Sequence, residues 1–340
     1  MSVNVAIVGP PGSGKTTLFH ALTYGHSSDG VGMVDVPDER LDRLAAAVRP
    51  PTRKVVPAQV RVADAPPGSR AQRIAAAREA DVVVKVLRGF GPDPDPAGDL
   101  EGIELDLALT DLASVEKRLD AVGREVRAGR KQSAAELAVL ERAKAHLDEG
   151  RGLSSLALDA EDAAHLRSLF LVSSRPSVVI ANVGDDRLPD GGELAERVAA
   201  LAAERGWRAL VVDAKLESEL AELQPEEAHE LRQMYGLTDS GLHAVARAVW
   251  DAGGLMTFFT AGEPEVRAWP CESEAPAPVA AGVIHSDFEK HFIRAEVTSV
   301  DDLVSAGSME ALRSAGRLRV EGRDYRVKDG DVVFFRVGRS

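Results

Sequence analysis

Eight residues near the start of the chain, Gly9-Pro10-Pro11-Gly12-Ser13-Gly14-Lys15-Thr16, complete the pattern G-x-x-x-x-G-K-[ST]. The run Val3–Val8 before them is short and rich in Val and Ile, as a strand buried on both faces would be, and Thr16–Thr23 after them reads as a helix. A Gly-rich turn in that setting aims several backbone N–H groups at one point, where the helix N-terminus adds roughly half a positive charge. That combination suits a chain of phosphates. Lys15 is long enough to reach the β- and γ-phosphates of a nucleotide, and the Thr16 hydroxyl takes a Mg²⁺ position. The expected nucleotide contacts are Gly9, Pro10, Pro11, Gly12, Ser13, Gly14, Lys15, Thr16 and Thr17, with Lys15 and Thr16 also in catalytic roles.

Further apolar runs at Val60–Ala63, Asp81–Leu87, Ser177–Val183 and Ala209–Val212 alternate with helical stretches such as Arg40–Val48 and Gly192–Arg205. This order predicts an α/β fold built on a doubly wound parallel sheet. Such sheets bind ligands at the carboxyl ends of their strands. Asp64, closing the second run, is the expected carboxylate behind the metal and the third catalytic candidate. Asn182-Val183-Gly184-Asp185 follows the fourth run, where P-loop GTPases carry N-K-x-D to read guanine; Val183 replaces the lysine. A carboxylate at Asp185 would accept from guanine and repel adenine N1 if it faces the base. Ala214-Lys215 ends the next strand, where a backbone and a lysine stem can pack on a purine. Asn182, Val183, Asp185, Ala214 and Lys215 therefore form the expected base site, with ATP and GTP both open.

Residues 105–149 read as an antiparallel helical hairpin. Leu105, Leu109, Leu112, Leu119, Val122 and Val126 follow a period near 3.5, Ala128-Gly129-Arg130 breaks the helix, and Ser133 precedes Glu136 at capping-box spacing. After Gly254, short strand candidates at Leu255–Thr260, Val266–Trp269, Phe292–Val297, Gly316–Val320 and Val332–Val337 surround one helical segment, Ser299–Ala315. They predict a small β-grasp-like sheet. Ala275–Ala281 reads as a loop, and Tyr325, Phe334 and Phe335 are expected in the core of this sheet.

With 41 basic against 54 acidic side chains the chain carries −13, a poor whole-surface match for nucleic acid. Residues 313–340 run the other way, with eight basic and four acidic side chains. That local excess could attract rRNA or tRNA phosphates, or could be a solvated face. A lone cysteine, Cys271, excludes an internal disulfide and a thiolate metal cluster, and fits a cytoplasmic setting. No leader-like segment or run of about 18 apolar residues is present, so no membrane partner is expected. The eight histidines show no metal-ligand spacing.

Taken in order, these motifs resemble the YchF family of Obg-like ATPases, in the translation-factor branch of P-loop GTPases. Val36-Pro37-Asp38-Glu39-Arg40-Leu41, Asp111–Leu119, Ala181-Asn182-Val183 and Ala214-Lys215-Leu216-Glu217 carry the resemblance. So do Thr257-Phe258-Phe259-Thr260-Ala261-Gly262, Ala280–His285, Phe292–Glu296 and Asp329-Gly330-Asp331-Val332. The resemblance implies a P-loop domain at 1–103 and 173–252, an inserted hairpin at 104–172 and a TGS domain at 253–340. It also implies a preference for ATP over GTP and association with the ribosome (50S or 70S); Mg²⁺ is the expected cofactor and a monomer the expected state. Asp185 stands where the family usually has Glu.

Two departures bear on turnover. Tyr24–Asp35 holds no threonine to offer the metal as a first switch would. Asp64-Ala65-Pro66-Pro67-Gly68 replaces D-x-x-G, and Pro67 has no N–H for a γ-phosphate. Slow hydrolysis is expected, and a hydrolysis-deficient nucleotide-binding paralogue is the alternative. A small-molecule kinase, with Arg118, Arg124, Arg127 and Arg130 as a lid, ranks last because the TGS-like tail has no place in one.

Overall fold

The computed structural model describes residues 3–338 apart from residues 50, 65–76 and 131. The proline-bearing stretch Ala65-Pro66-Pro67-Gly68 thus lies outside the described residues. In chain order the strands are β1 (Asn4–Val8), β2 (Ser27–Ser28), β3 (Val31–Val36), β4 (Val55–Val56), β5 (Ala58–Asp64), β6 (Val82–Gly89), β7 (Ser177–Val183) and β8 (Arg208–Val212). Then follow β9 (Leu255–Ala261), β10 (Val266–Glu272), β11 (Phe292–Ser299), β12 (Arg319–Glu321) and β13 (Asp331–Val337).

The chain packs into two units, Val3–Met33 with Arg61–Ala252, and Val34–Val60 with Gly253–Ser340. A linear reading groups Val34–Val60 with the nucleotide-binding segment and sets the hairpin apart. The observed grouping follows from long-range bonds that such a reading has no access to.

In the first unit β5, β1, β6, β7 and β8 lie side by side in that order, all parallel, with β3 and β2 continuing the sheet beyond β5. The sequence order reverses at β1, as a doubly wound sheet requires. Strand β7 is buried along its whole length and β6 nearly so, which is why their sequences are continuous rather than alternating. Ala6, Val83, Leu87 and Val179 pack there against Leu100, Leu107 and Val198 from the covering helices. The β2–β3 hairpin has no counterpart among the strands expected from the sequence. It turns through Asp29 and Gly30, both at positive φ (51° and 72°), the conformation of a tight two-residue hairpin loop.

One 32-residue helix, Pro96–Arg127, serves two cores. Its first turns cover the sheet through Leu100, Ile103 and Leu107. Its later turns place Ala108, Val115 and Val122 against Val139, Leu140, Ala143 and Leu147 of the returning helix Ser133–Asp148. Leu105 and Leu109, expected on the buried stripe, are exposed, because the sheet-facing register set by Leu100 and Leu107 turns them outward. Ser133 does not cap the second helix. It occupies the first helical turn and donates to Glu125 (2.9 Å), while Glu136 accepts two bonds from Arg118 (2.6 and 2.8 Å). Arg118 is therefore held by the hairpin itself, not available as a lid residue. Asp111, buried on the long helix, accepts from the backbone N–H groups of Val172 (3.0 Å) and Ser173 (2.7 Å) and fixes the chain as it re-enters the sheet.

The second unit is a sheet ordered β12-β11-β13-β9-β10-β4, antiparallel except for the β13–β9 and β10–β4 pairs. Most of Ala275–Ala281, expected as a loop, belongs to the helix Ala277–Ile284: Pro278 sits in its first turn, where a missing N–H costs nothing, and Ala277, Ala280 and Ala281 are buried. The single helix expected over Ser299–Ala315 is two, Val300–Ala306 and Met309–Ser314. Gly307 ends the first at φ 75° and the Ser308 side chain caps the second. Phe335 is buried and Tyr325 half-buried, but Phe334 faces outward. The Val36–Leu41 motif belongs here. Asp38 caps the helix Glu39–Ala47, and Arg40 bridges Asp38 (2.7 Å) and Asp329 (2.5 Å), while Asp329 also accepts from Thr257 N (2.9 Å). Motifs almost three hundred residues apart (329 − 38 = 291) therefore meet at one arginine.

Beneath the first sheet, Lys85 of β6 is fully buried, ion-paired with Glu104 and seated over the Trp207 ring at 3.4 Å. Burial pushes the Lys85 ammonium down to about 8, and Glu104 only partly restores it. Glu104→Gln is expected to cost about 3 kcal/mol or more, since the ammonium stays buried without its counter-charge. Lys85→Met with Glu104→Leu should recover most of that loss. Denaturant unfolding of the three chains checks both statements, and a double variant as unstable as the single one would refute them.

Candidate nucleotide site

The octapeptide joins β1 to the helix Lys15–Leu22. Gly14 sits at φ 89°, and a Cβ there would fall on the Asn182 side-chain nitrogen. At Gly9 a Cβ would collide with the Val86 carbonyl. Glycine is thus required at both ends, once for conformation and space and once for space alone. The helix begins with no side-chain cap, so its first N–H groups face the loop without a partner from a capping side chain. Lys15 Nζ donates to the Pro10 carbonyl at 2.7 Å, folded back along the loop it would leave for a phosphate.

Thr16 and Asp64 come together. The Thr16 hydroxyl donates to Asp64 Oδ2 at 2.9 Å across the gap between the helix and the end of β5. The other Asp64 oxygen, Oδ1, is buried and has no hydrogen-bond partner among the described residues. A hydroxyl and an under-coordinated carboxylate, both hard oxygen donors, fit a Mg²⁺ ion held partly by phosphates. No group of three or more His, Cys, Asp or Glu suitable for a metal occurs among the described residues, so a metal here would depend on its nucleotide. The Gly30 carbonyl at the tip of the β2–β3 turn accepts from Asp64 N at 3.0 Å. The segment Tyr24–Asp35 is therefore an ordered hairpin clamped to the carboxylate's own backbone.

Asn182 connects the phosphate loop to the base side. Its Nδ2 donates to the Ser13 carbonyl (2.8 Å) and its Oδ1 accepts from Ala214 N (2.9 Å), with the side chain buried. Expected as a base contact, it is first a strut. Asp213 caps the helix Ala214–Leu220 by accepting from Lys215 N and Leu216 N, and burial pushes its carboxyl up. Thr17, Asn182, Val183, Asp185, Ala214 and Lys215 line one cleft of about 340 Å³ with Gly14. Phe90, Leu216, Glu219 and Tyr235 line it too and are absent from the sequence-based set. Phe90 directly follows β6, and its position one residue past a strand end is the available signal. A larger open depression of about 440 Å³, between Pro94–Ala97 and Asp186–Arg197, touches none of the phosphate-loop residues. The remaining loop residues, Pro10, Pro11, Gly12 and Ser13, form the turn itself, with Pro11 and Gly12 exposed.

A parallel sheet with a Gly-rich loop after its central strand, and a Thr–Asp pair beneath that loop, defines a P-loop nucleoside-triphosphatase fold. The family model YchF-GTPase_C, described as a protein of unknown function, matches residues 255–338. The ribosome-binding ATPase YchF of Bacillus subtilis is 36% identical over 365 residues, spanning 99% of each chain. That of Escherichia coli O157:H7 is 38% identical over 360 residues, spanning 98% of this chain and 99% of its own. The structure of the Schizosaccharomyces pombe YchF GTPase superposes with a TM-score of 0.89 at 27% identity, covering 98% of both chains. The chain belongs to the YchF family.

Asn182→Ala is expected to destabilise the first unit by about 2 kcal/mol, because it orphans a carbonyl and an N–H that are both buried. Asn182→Asp should do comparable harm, since a carboxylate cannot donate to Ser13 O. Thermal melts of both variants check this; an unchanged melting temperature would show that the strut carries no load.

Proposed function

We propose that this chain is a P-loop ATPase of low intrinsic turnover that binds Mg²⁺–ATP and associates with the ribosome. The buried Asp64 oxygen that has no hydrogen-bond partner among the described residues, beside the Thr16 hydroxyl, carries this reading, because the two make an oxygen donor set for a cation at the foot of a phosphate loop. The relatives' printed names, ribosome-binding ATPase, support the nucleotide and the partner.

In this reading the N–H groups of Gly12–Thr17 and the Lys15 ammonium hold the β- and γ-phosphates, Lys15 exchanging the Pro10 carbonyl for phosphate oxygen. Thr16 and Asp64 would hold Mg²⁺, which when bound neutralises charge developing on the phosphates. The base lies in the cleft between Phe90 and Ala214-Lys215, with Val183 in place of the lysine of guanine readers favouring adenine. Near the loop, His20 is exposed and His26 bonds the Tyr24 carbonyl (2.8 Å), so among the described residues neither is placed as a general base. Intrinsic hydrolysis is accordingly slow. The nucleotide site belongs to the first unit, and the basic stretch 313–340, with eight basic against four acidic side chains, faces ribosomal RNA; the chain acts as a monomer in the cytoplasm. No helix among the described residues is long and apolar enough to cross a membrane.

The second reading, nucleotide held without hydrolysis, is favoured by the Gly30–Asp64 clamp and by the absence of threonine from Tyr24–Asp35. Isothermal titration with ATP and GTP, with and without Mg²⁺, separates the purines; failure of both to bind at millimolar concentration would end the first reading. Phosphate release stimulated by ribosomes would exclude the second. Lys15→Ala is expected to weaken nucleotide binding at least a hundredfold with an unchanged melting temperature. His285→Ala, which removes the acceptor for Asp287 N and a ring contact with Phe288, should leave that affinity unchanged.

A further inference from the structure

The cleft beside the phosphate loop holds a carboxyl that the fold leaves half used. Asp213 directly follows β8 and is 7% exposed. Its Oδ1 accepts from both Lys215 N (2.9 Å) and Leu216 N (3.0 Å), and so caps the helix Ala214–Leu220. Its Oδ2 has no hydrogen-bond partner among the described residues, and the side chain lines the cleft of about 340 Å³. A carboxylate oxygen kept from water without a donor is costly, and the cleft is the side from which a ligand can bring one. Asp185 lines the same cleft, and its charge adds to burial in pushing the Asp213 carboxyl up, against the two backbone donors at Oδ1. A ligand N–H at Oδ2 would relieve both effects.

The neighbouring backbone has no donor left to give. Ala214 N donates to Asn182 Oδ1 (2.9 Å), and Lys215 N and Leu216 N are the two taken by Asp213. The Lys215 ammonium pairs with Glu219 one turn along the helix (3.7 Å), and its side chain is 85% exposed. This loop therefore offers a base an acceptor and keeps its backbone donors for itself. Purines differ in what they bring to such a place. Adenine carries an amino group at C6, whereas guanine and hypoxanthine carry a carbonyl oxygen there. An amino N–H satisfies a carboxylate oxygen, but a carbonyl oxygen sets one lone pair against another. Val183 in place of lysine withdraws a guanine contact without supplying one for adenine, so positive selection of the base falls to another residue.

We propose that Asp213 is the base-selecting residue of this site, its Oδ2 accepting a hydrogen bond from the 6-amino group of the purine. This rests on the reading of the cleft as the base side of a nucleotide site, and specifies the atom that discriminates. One oxygen of the side chain holds the start of the helix and the other meets the base, so the cap fixes the direction of the acceptor.

Isothermal titration of the full chain with Mg²⁺–ATP and Mg²⁺–ITP tests it, because inosine carries oxygen where adenosine carries the amine. The wild-type chain is expected to bind ATP about tenfold or more tightly than ITP. Asp213→Asn preserves the cap: the two backbone N–H groups hold the amide oxygen, and the free position turns from acceptor to donor. Its preference should reverse, with ITP bound more tightly than ATP. Asp213→Ser also caps a helix but has no second oxygen to offer, and should bind the two nucleotides within about threefold of each other. A purely structural role would lower both affinities together and leave their ratio unchanged. Equal binding of ATP and ITP by the wild-type chain, or the wild-type ratio retained in either variant, would overturn the proposal. Failure of the wild-type chain to bind either nucleotide refutes the underlying reading instead.

Discussion

The nucleotide cleft depends on one buried amide. Asn182 donates to the phosphate loop at Ser13 and accepts from the base-side helix at Ala214, so two halves of the cleft contributed by segments 201 residues apart (214 − 13) share one side chain. Both of its ends are satisfied by backbone, which makes its orientation single-valued and leaves no slack in either loop. Gly14 has no room for a side chain because Asn182 occupies the space a Cβ would need. The fold of the sheet supplies the rest. β1 and β7 flank β6 and run parallel to it, so their C-terminal loops leave the same edge of the sheet.

What the sequence discloses and what it hides divide along a physical line. The turn of the phosphate loop and the parallel strands are legible because each depends on local chemistry: glycines at positive φ and continuous apolar runs. The β2–β3 hairpin is hidden since its first strand has two residues and owes its existence to pairing and to the Gly30–Asp64 bond. Ser133 and Glu136 have the spacing of a capping box, yet Glu125 and Arg118 from the opposing helix compete successfully for both side chains. Ala275–Ala281 misleads because alanine and proline suggest a loop by composition. A proline in the first turn and alanines against Phe258 and Val297 make it a close-packed helix. Hydrophobicity alone puts Phe334 in the core, whereas the alternation of β13 gives that position to Phe335.

Two charge clusters of the second unit show opposite uses of arginine. Arg40 lies between Asp38 and Asp329, two carboxylates to one guanidinium, and closes the joint that holds Val34–Val60 to the C-terminal segment. Glu296 reverses the ratio, three guanidiniums to one carboxylate, and leaves charge over. The first arrangement joins two segments of the chain, whereas the second gathers three guanidiniums beside the exposed Phe334 and Val320.

The path of the chain adds a further constraint. It leaves the nucleotide unit between Met33 and Val34 and returns between Val60 and Arg61. The first crossing falls three residues after Gly30 and the second three residues before Asp64 (33 − 30 and 64 − 61), and Gly30 and Asp64 are bonded to each other. The carboxylate proposed to back the metal is thus tied through its own backbone N–H to the strand pair by which the chain departs and comes back. Because the turn is a two-residue loop with both φ values already positive, it has little freedom to yield, so its bond to Asp64 N restrains the backbone of that carboxylate.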